Sequence, residues 1–129
     1  MAGEPILIVD DNPVNLKLAR VLLTSVGYQV RTAEDATEAL AVLEKFDPRL
    51  ILMDIQMPGV DGLELSRRLK ADPATKEILI VALTAYAMKG DREKALAAGC
   101  DGYLAKPINT RTLPSIIASY LDGPRGGTA

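Results

Sequence analysis

Five polar side chains follow directly on apolar runs: Asp10 and Asp11 after Pro5 to Val9, Asp54 after Leu50 to Met53, Thr84 after Ile78 to Leu83, and Lys106 after Asp101 to Ala105. Short apolar runs of this kind read as strands buried on both faces, and packing gives such a strand no reason to end in a charge. If the strands are parallel, these ends lie along one edge, facing the crevice where open α/β sheets bind ligands. Three carboxylates brought together there repel one another unless a cation joins them, and oxygen-only ligation suits a hard divalent ion, magnesium above all, with manganese as a substitute. Magnesium keeps several waters and readily shares its shell with a phosphate, so a phosphoryl group belongs in the same place.

The residues that are missing narrow the chemistry further. The chain has no histidine, which excludes Ser-His-Asp and Cys-His relays, a histidine-rich zinc site and a phosphohistidine of its own. Its one cysteine, Cys100, reads as a small buried hydrophobe. The nucleophile that remains is a carboxylate, and Asp is an established acceptor in aspartyl phosphate formation. Transfer to Asp54 asks for positioning and charge neutralisation, with metal on one side, Lys106 on another and a donor such as Thr84 on a third. Taken singly, each residue has a packing explanation: a turn Asp helped by Pro58, Gly59 and Gly62, a helix-capping Thr, a solvated Lys, helix-dipole acids. Chance would have scattered them over both sheet edges.

The elements that must position these groups alternate along the chain. After the first strand, Asn12 and Pro13 start a helix that runs to about Val26, with Gly27 as its C-terminal stop. This helix carries two apolar stripes: Leu16, Ala19, Leu23 and Val26, and Val14, Leu18, Val21 and Leu22. One sheet face covers only one of them, which leaves the second for a partner. Tyr28 to Thr32 alternates weakly, as an edge strand does. Ala36, Ala39, Leu40 and Leu43 mark a second helix, ended by Asp47 and Pro48. A third helix presents Leu63, Leu65 and Leu69 and stops near Asp72 and Pro73. The fourth, Met88 to Ala98, has only Met88, Ala95, Leu96 and Ala98 to bury and is the least anchored. The last starts at Asn109 or Thr110, buries Leu113, Ile116, Ile117 and Leu121, and ends at Gly123. Strand–helix alternation with short loops predicts a doubly wound parallel sheet with helices on both faces.

The totals agree with one domain. The chain has 129 residues, 48% of them apolar, and a net charge of −2, so it has no basic footprint for nucleic acid. No apolar run is long enough for a bilayer, and a single cysteine points to the cytoplasm. Residues 1–123 form the expected domain; 124–129 read as a disordered, Gly-rich tail.

These residues together resemble the receiver domain of two-component response regulators over essentially the whole length. The matching segments are Asp10-Asp11, Asp54 within Leu52-Met53-Asp54-Ile55-Gln56-Met57-Pro58, Thr84-Ala85 and Lys106-Pro107. Ala85 to Asp91 and Lys106 to Ile108 are similar to stand-alone regulators of the DivK type, and also to receivers within hybrid histidine kinases and diguanylate cyclases. The resemblance implies the flavodoxin-like (βα)5 strand order 2-1-3-4-5, which is the order known for such receivers. It implies Asp54 as phosphoacceptor, with Asp11, Asp54 and the backbone carbonyl of Gln56 as magnesium ligands and Asp10 acting through a water. Thr84 and Lys106 would hold the phosphoryl oxygens, Tyr103 would be the switch aromatic, and the Lys106–Pro107 peptide would be cis.

The donor would then be a histidine kinase or a histidine phosphotransfer protein, docking on Val14, Asn15, Leu18, Val21, Leu22 and Pro107. A downstream protein would read the fourth helix, fifth strand and fifth helix, the chain being a monomer or weak homodimer. Gln56 and Tyr86, two residues past Asp54 and Thr84, would set how long the phosphoryl group survives. A haloacid-dehalogenase-like aspartyl phosphatase is the enzyme alternative, but it usually has a second Asp as acid and base where this chain has Gln56. The expectation is therefore a signalling module, not an enzyme.

Overall fold

The computed structural model describes residues 3–55, 62–84, 89–105 and 109–122. Its elements alternate without exception: β1 (Pro5–Val9), α1 (Pro13–Ser25), β2 (Gln29–Ala33), α2 (Ala36–Leu43), β3 (Leu50–Asp54), α3 (Gly62–Ala71), β4 (Leu79–Thr84), α4 (Lys89–Ala97), β5 (Gly102–Ala105) and α5 (Leu113–Asp122). The strands form one parallel sheet in the order β2-β1-β3-β4-β5. This is the doubly wound, flavodoxin-like arrangement, with β2 at an edge as its weak alternation predicts.

The unbroken apolar runs are explained by coverage on both faces. Successive strand residues point to opposite sides of a sheet. Leu7 and Val9, Ile51 and Met53, and Ile80 and Ala82 therefore enter one core with Ala36 and Ala39 of α2, Leu65 and Leu69 of α3 and Ala95 of α4. Ile6 and Ile8, Leu50 and Leu52, and Leu79, Val81 and Leu83 enter the other, with Leu16, Ala19 and Leu23 of α1 and Leu113, Ile117 and Leu121 of α5. β3 is the only described strand whose five residues are all buried and whose last residue is an acid.

Local chemistry sets the helix ends. Asn12 caps α1 by accepting the N–H groups of Val14 at 2.9 Å and Asn15 at 3.3 Å, and Pro13 occupies the first turn. At the other end Gly27 takes φ +105°, so that its N–H reaches Thr24 O and the N–H of Tyr28 reaches Leu23 O. Away from the acidic edge, Lys70 Nζ donates to Asp101 Oδ2 at 2.8 Å and to Ile78 O at 2.7 Å, while the Ile80 N–H donates to the same Asp101 oxygen at 2.9 Å. That ammonium ties the end of α3 to the starts of β4 and β5.

Several helix positions differ from their predicted places. Val26 is 43% exposed, because the chain has already left helical geometry at this C-cap. Leu40 and Leu96 are exposed as well, while Ala36 and Ala39 of α2 and Ala95 of α4 enter the core. α5 begins at Leu113, not at 109 or 110. Asn109 folds the preceding residues into a turn, accepting the Arg111 N–H on its side chain and those of Thr112 and Leu113 on its carbonyl. Pro114, which has no N–H to satisfy, then sits in the first helical turn. β2 and β4 each start one residue later than predicted. Met88 and the 124–129 tail lie outside the described residues.

Candidate functional site

The pairing register brings the acids together. β1 and β3 run level, Ile8 beside Leu52 and Val9 beside Met53, so the next pair in line is Asp10 beside Asp54. Neighbouring strands lie about 4.8 Å apart, and both residues continue the parity that faces α1 and α5. The outcome is a group of three carboxylates, Asp10, Asp11 and Asp54, each offering an oxygen within 4.8 Å of the others. Asp10 and Asp54 are 1% exposed and Asp11 is open to solvent. Two buried carboxylates side by side are costly without a compensating cation, whereas an exposed third acid leaves an entry route from water.

Backbone bonds hold the two strand ends that carry the buried acids. Asp10 donates its N–H to Ala33 O of the edge strand at 3.1 Å, and its Oδ1 accepts the Asn12 N–H at 2.9 Å. Asn12, through its own side chain, is the cap of α1, so one short segment fixes both a buried acid and the start of the helix beside it. On the far side, Asp54 is level with Leu83 of β4, and the Ile55 N–H donates to Leu83 O at 3.1 Å. Thr84 is therefore one step further along the next strand, fully buried, and paired in register with Ala105 of β5. Lys106 is the next residue in sequence and lies outside the described residues, as do Gln56, Tyr86 and Pro107.

Three carboxylates and a buried hydroxyl at one sheet edge fit a divalent ion of the magnesium type, which keeps waters in its shell and shares it readily with a phosphoryl oxygen. Asp10, Asp11 and Asp54 are the described residues that could hold it.

The remaining sequence-predicted residues fall away from the acids. Tyr103 is half-buried on β5 and packs against the core under α2, α3 and α4. Of the predicted docking stripe, Val14, Leu18 and Val21 are 72%, 41% and 51% exposed, but Leu22 turns inward onto the core under α1 and α5. The stripe is thus narrower than its sequence spacing implies: Leu22 lies too far around the helix, beside Leu23. Asn15 is half-buried next to it.

One residue at the site carries no side-chain chemistry and reads in the sequence only as a turn former. Gly62, at the start of α3, lies against the backbone of Asp54 and Ile55 so closely that a Cβ would overlap the Asp54 carbonyl oxygen. No local signal separates such a glycine from its neighbour Gly59; the reason is tertiary.

Comparison with known proteins agrees with this geometry. The family described as response regulator receiver domain matches residues 6–118. The polar-differentiation response regulator DivK of Brucella ovis is 43% identical over 118 residues, covering 92% of this chain and 96% of its own, and DivK of Brucella melitensis matches equally well. Among solved structures, the receiver domain of a sensor histidine kinase from Pseudomonas aeruginosa PAO1, with a magnesium ion coordinated in its active site cleft, is 38% identical with a TM-score of 0.84, over 95% of this chain and all of that one. A CheY-like receiver domain protein from Methanospirillum hungatei JF-1 is 34% identical with a TM-score of 0.85, over 94% of this chain and 95% of that one. The family match over residues 6–118, the shared sequence and the shared fold leave one classification: the chain belongs to the response regulator receiver domain family, the signalling module of two-component systems.

Proposed function

We propose that the chain is a phosphoacceptor switch in which Asp54 takes a phosphoryl group from a phosphohistidine of a histidine kinase or histidine phosphotransfer protein. The observation that carries this reading is the register-matched pair Asp10 and Asp54, buried together with Asp11 at the mouth. An Asp54 oxygen attacks phosphorus, the P–N bond breaks, and the electron pair leaves with the donor imidazole, which takes up a proton. Asp11, Asp54 and the Gln56 carbonyl would hold the divalent ion, and Asp10 would act on it through a water. When bound, that ion supplies the positive charge that lets a dianionic group approach three acids. Thr84 and Lys106 receive the remaining phosphoryl oxygens, one by a hydrogen bond and one by charge.

Phosphorylation then adds charge beside a hydroxyl that is buried in the sheet. Drawing Thr84 toward the phosphoryl group opens space for Tyr103 and repacks α4, whose described buried side chains, Ala95 alone within the helix, anchor it least. The output face is α4, β5 and α5. A groove of about 360 Å3 there is lined by Leu96, Asp101, Gly102, Tyr103 and Tyr120, so the aromatic proposed to move is part of its wall. The protein works in the cytoplasm as a monomer or weak homodimer, and turns over no substrate beyond its own phosphoryl group.

Incubation with magnesium and acetyl phosphate, followed by intact mass, tests the reading. Wild type gains one phosphoryl group and Asp54→Asn gains none. Undiminished labelling of that variant, with transfer to a substitute acid excluded, or steady phosphate release from added monoesters, would overturn the assignment.

A further inference from the structure

We propose that Gly62 is a positioning residue for the chemistry at Asp54, a role that rests on the phosphoacceptor reading above. A Cβ at this position would lie 2.7 Å from the Ile55 Cα and 2.9 Å from the Asp54 carbonyl carbon, besides overlapping the Asp54 carbonyl oxygen. All three are backbone atoms, so no side chain can rotate out of the way. Something larger has to move, and both bodies are held. The strand end is tied to β4 by the Ile55 N–H to Leu83 O bond of 3.1 Å. The start of α3 is pinned by Ser66, fully buried, whose hydroxyl donates to the Gly62 carbonyl at 2.7 Å, and by Leu65 in the core.

Ser66 makes the contact specific. A buried hydroxyl bonded back to the residue four positions earlier tends to bend or loosen a helix, yet here it sets the very peptide that meets Asp54. The acid is thus gripped from two sides: β4 fixes the strand end in the sheet plane, and the bare α-carbon of Gly62 lets α3 close on it from one face. A carboxylate that must share a cation with Asp10 and Asp11 tolerates little displacement, since a shift of about 1 Å at a reacting group is enough to cost on the order of a hundredfold.

The test compares wild type, Gly62→Ala and Leu69→Ala, the last a cavity on the same helix but at its other end. In metal-free protein, NMR amide shifts and hydrogen exchange at Asp54 and Ile55 report the strand end directly. Magnesium affinity by titration and the labelling rate with acetyl phosphate follow, all below each variant's thermal midpoint. Gly62→Ala is expected to shift the Asp54 and Ile55 amides, speed Ile55 exchange, and weaken magnesium binding and labelling by about tenfold or more. Leu69→Ala is expected to lower the thermal midpoint while keeping both within about twofold, as sites that share no partner behave independently.

A folded Gly62→Ala with wild-type magnesium affinity and labelling overturns the role, and so does an equal loss in Leu69→Ala. If Gly62→Ala does not fold, Ser66→Ala takes its place. Loss of the pin should slow labelling a few-fold in a folded protein, and an unchanged rate and magnesium affinity would overturn the role. A wild type that binds magnesium but takes no label defeats the reading of Asp54 alone; the role of Gly62 is then decided by the amide shifts and magnesium affinity.

Discussion

On the phosphoacceptor reading proposed above, some residues would act on the phosphoryl group and others would govern the water around it. Gln56 and Tyr86, which lie outside the described residues, are proposed for the second role. Gln56 can hold a water by hydrogen bonds but cannot take its proton at neutral pH, and Tyr86 offers a ring large enough to shield the phosphoryl group. Spontaneous hydrolysis is therefore expected to be slow, and Tyr86→Ala to speed it several-fold. Equal dephosphorylation rates in the two proteins would rule out shielding. Elsewhere, burial shapes two other groups. It pushes the Cys100 thiol up, more than Ser66 at 3.6 Å offsets, and it pushes the Tyr28 hydroxyl up, with Glu4 and Asp122 adding to the effect. Both groups stay neutral in the folded chain where the unfolded chain ionises. Their stabilisation is whole below the ordinary values of 9.0 and 10.0 and is lost as pH rises through the raised ones. The urea midpoint should fall across that alkaline range; a flat midpoint would show that neither burial is felt.

Among the elements, α1 joins the site to a surface. Its N-cap, Asn12, is bonded to Asp10, and its exposed Val14, Leu18 and Val21 begin one turn from the acids. A protein that carries a phosphohistidine has to come to this edge, so Leu18→Glu is expected to change stability by no more than about 0.5 kcal/mol and slow phosphotransfer from the cognate donor by about tenfold. Labelling by acetyl phosphate, which needs no docking, should be unchanged. If both donors lose equally, the stripe is not a docking surface. The same helix shows what periodicity can and cannot reveal. Leu16, Ala19 and Leu23 were legible as its core face, and Asn12, Pro13 and Gly27 as its ends. Val26 and Leu22 were not, because the first lies where helical geometry stops and the second lies beside Leu23 on the flank of the core face. Leu40 and Leu96 were not legible either: among the described residues Ala36, Ala39 and Ala95 turn inward and these two leucines stay outside.

For the molecule as a whole, strand alternation was enough to predict a parallel sheet, and family resemblance supplied its order. Strand ends were legible as a site because acids there serve no packing purpose. Gly62 was not, since its contact with the Asp54 and Ile55 backbone exists only once α3 has packed back against the strand end. The three acids also bear on stability. Like charges at such distances repel by about 1 kcal/mol or more, so metal-free Asp11→Asn is expected to melt higher than metal-free wild type. Magnesium should raise the melting temperature of wild type, by mass action on the folded state, and do so far less in the variant. Calorimetry with and without magnesium checks both; an Asp11→Asn that melts lower in the absence of metal would mean that the acids do not strain the fold.

The strand order also bears on the birth of the chain. β1 leaves the ribosome first, yet its place is between β2 and β3, and β3 in turn needs β4 along its other edge. Asp10 waits for Asp54, and both wait for the strand that ends in Thr84. A half-made or locally opened copy owns the acids but not the pocket. On the phosphoacceptor reading proposed above, a phosphorylated molecule would accordingly be a finished one, and the mark would also certify that its bearer has folded.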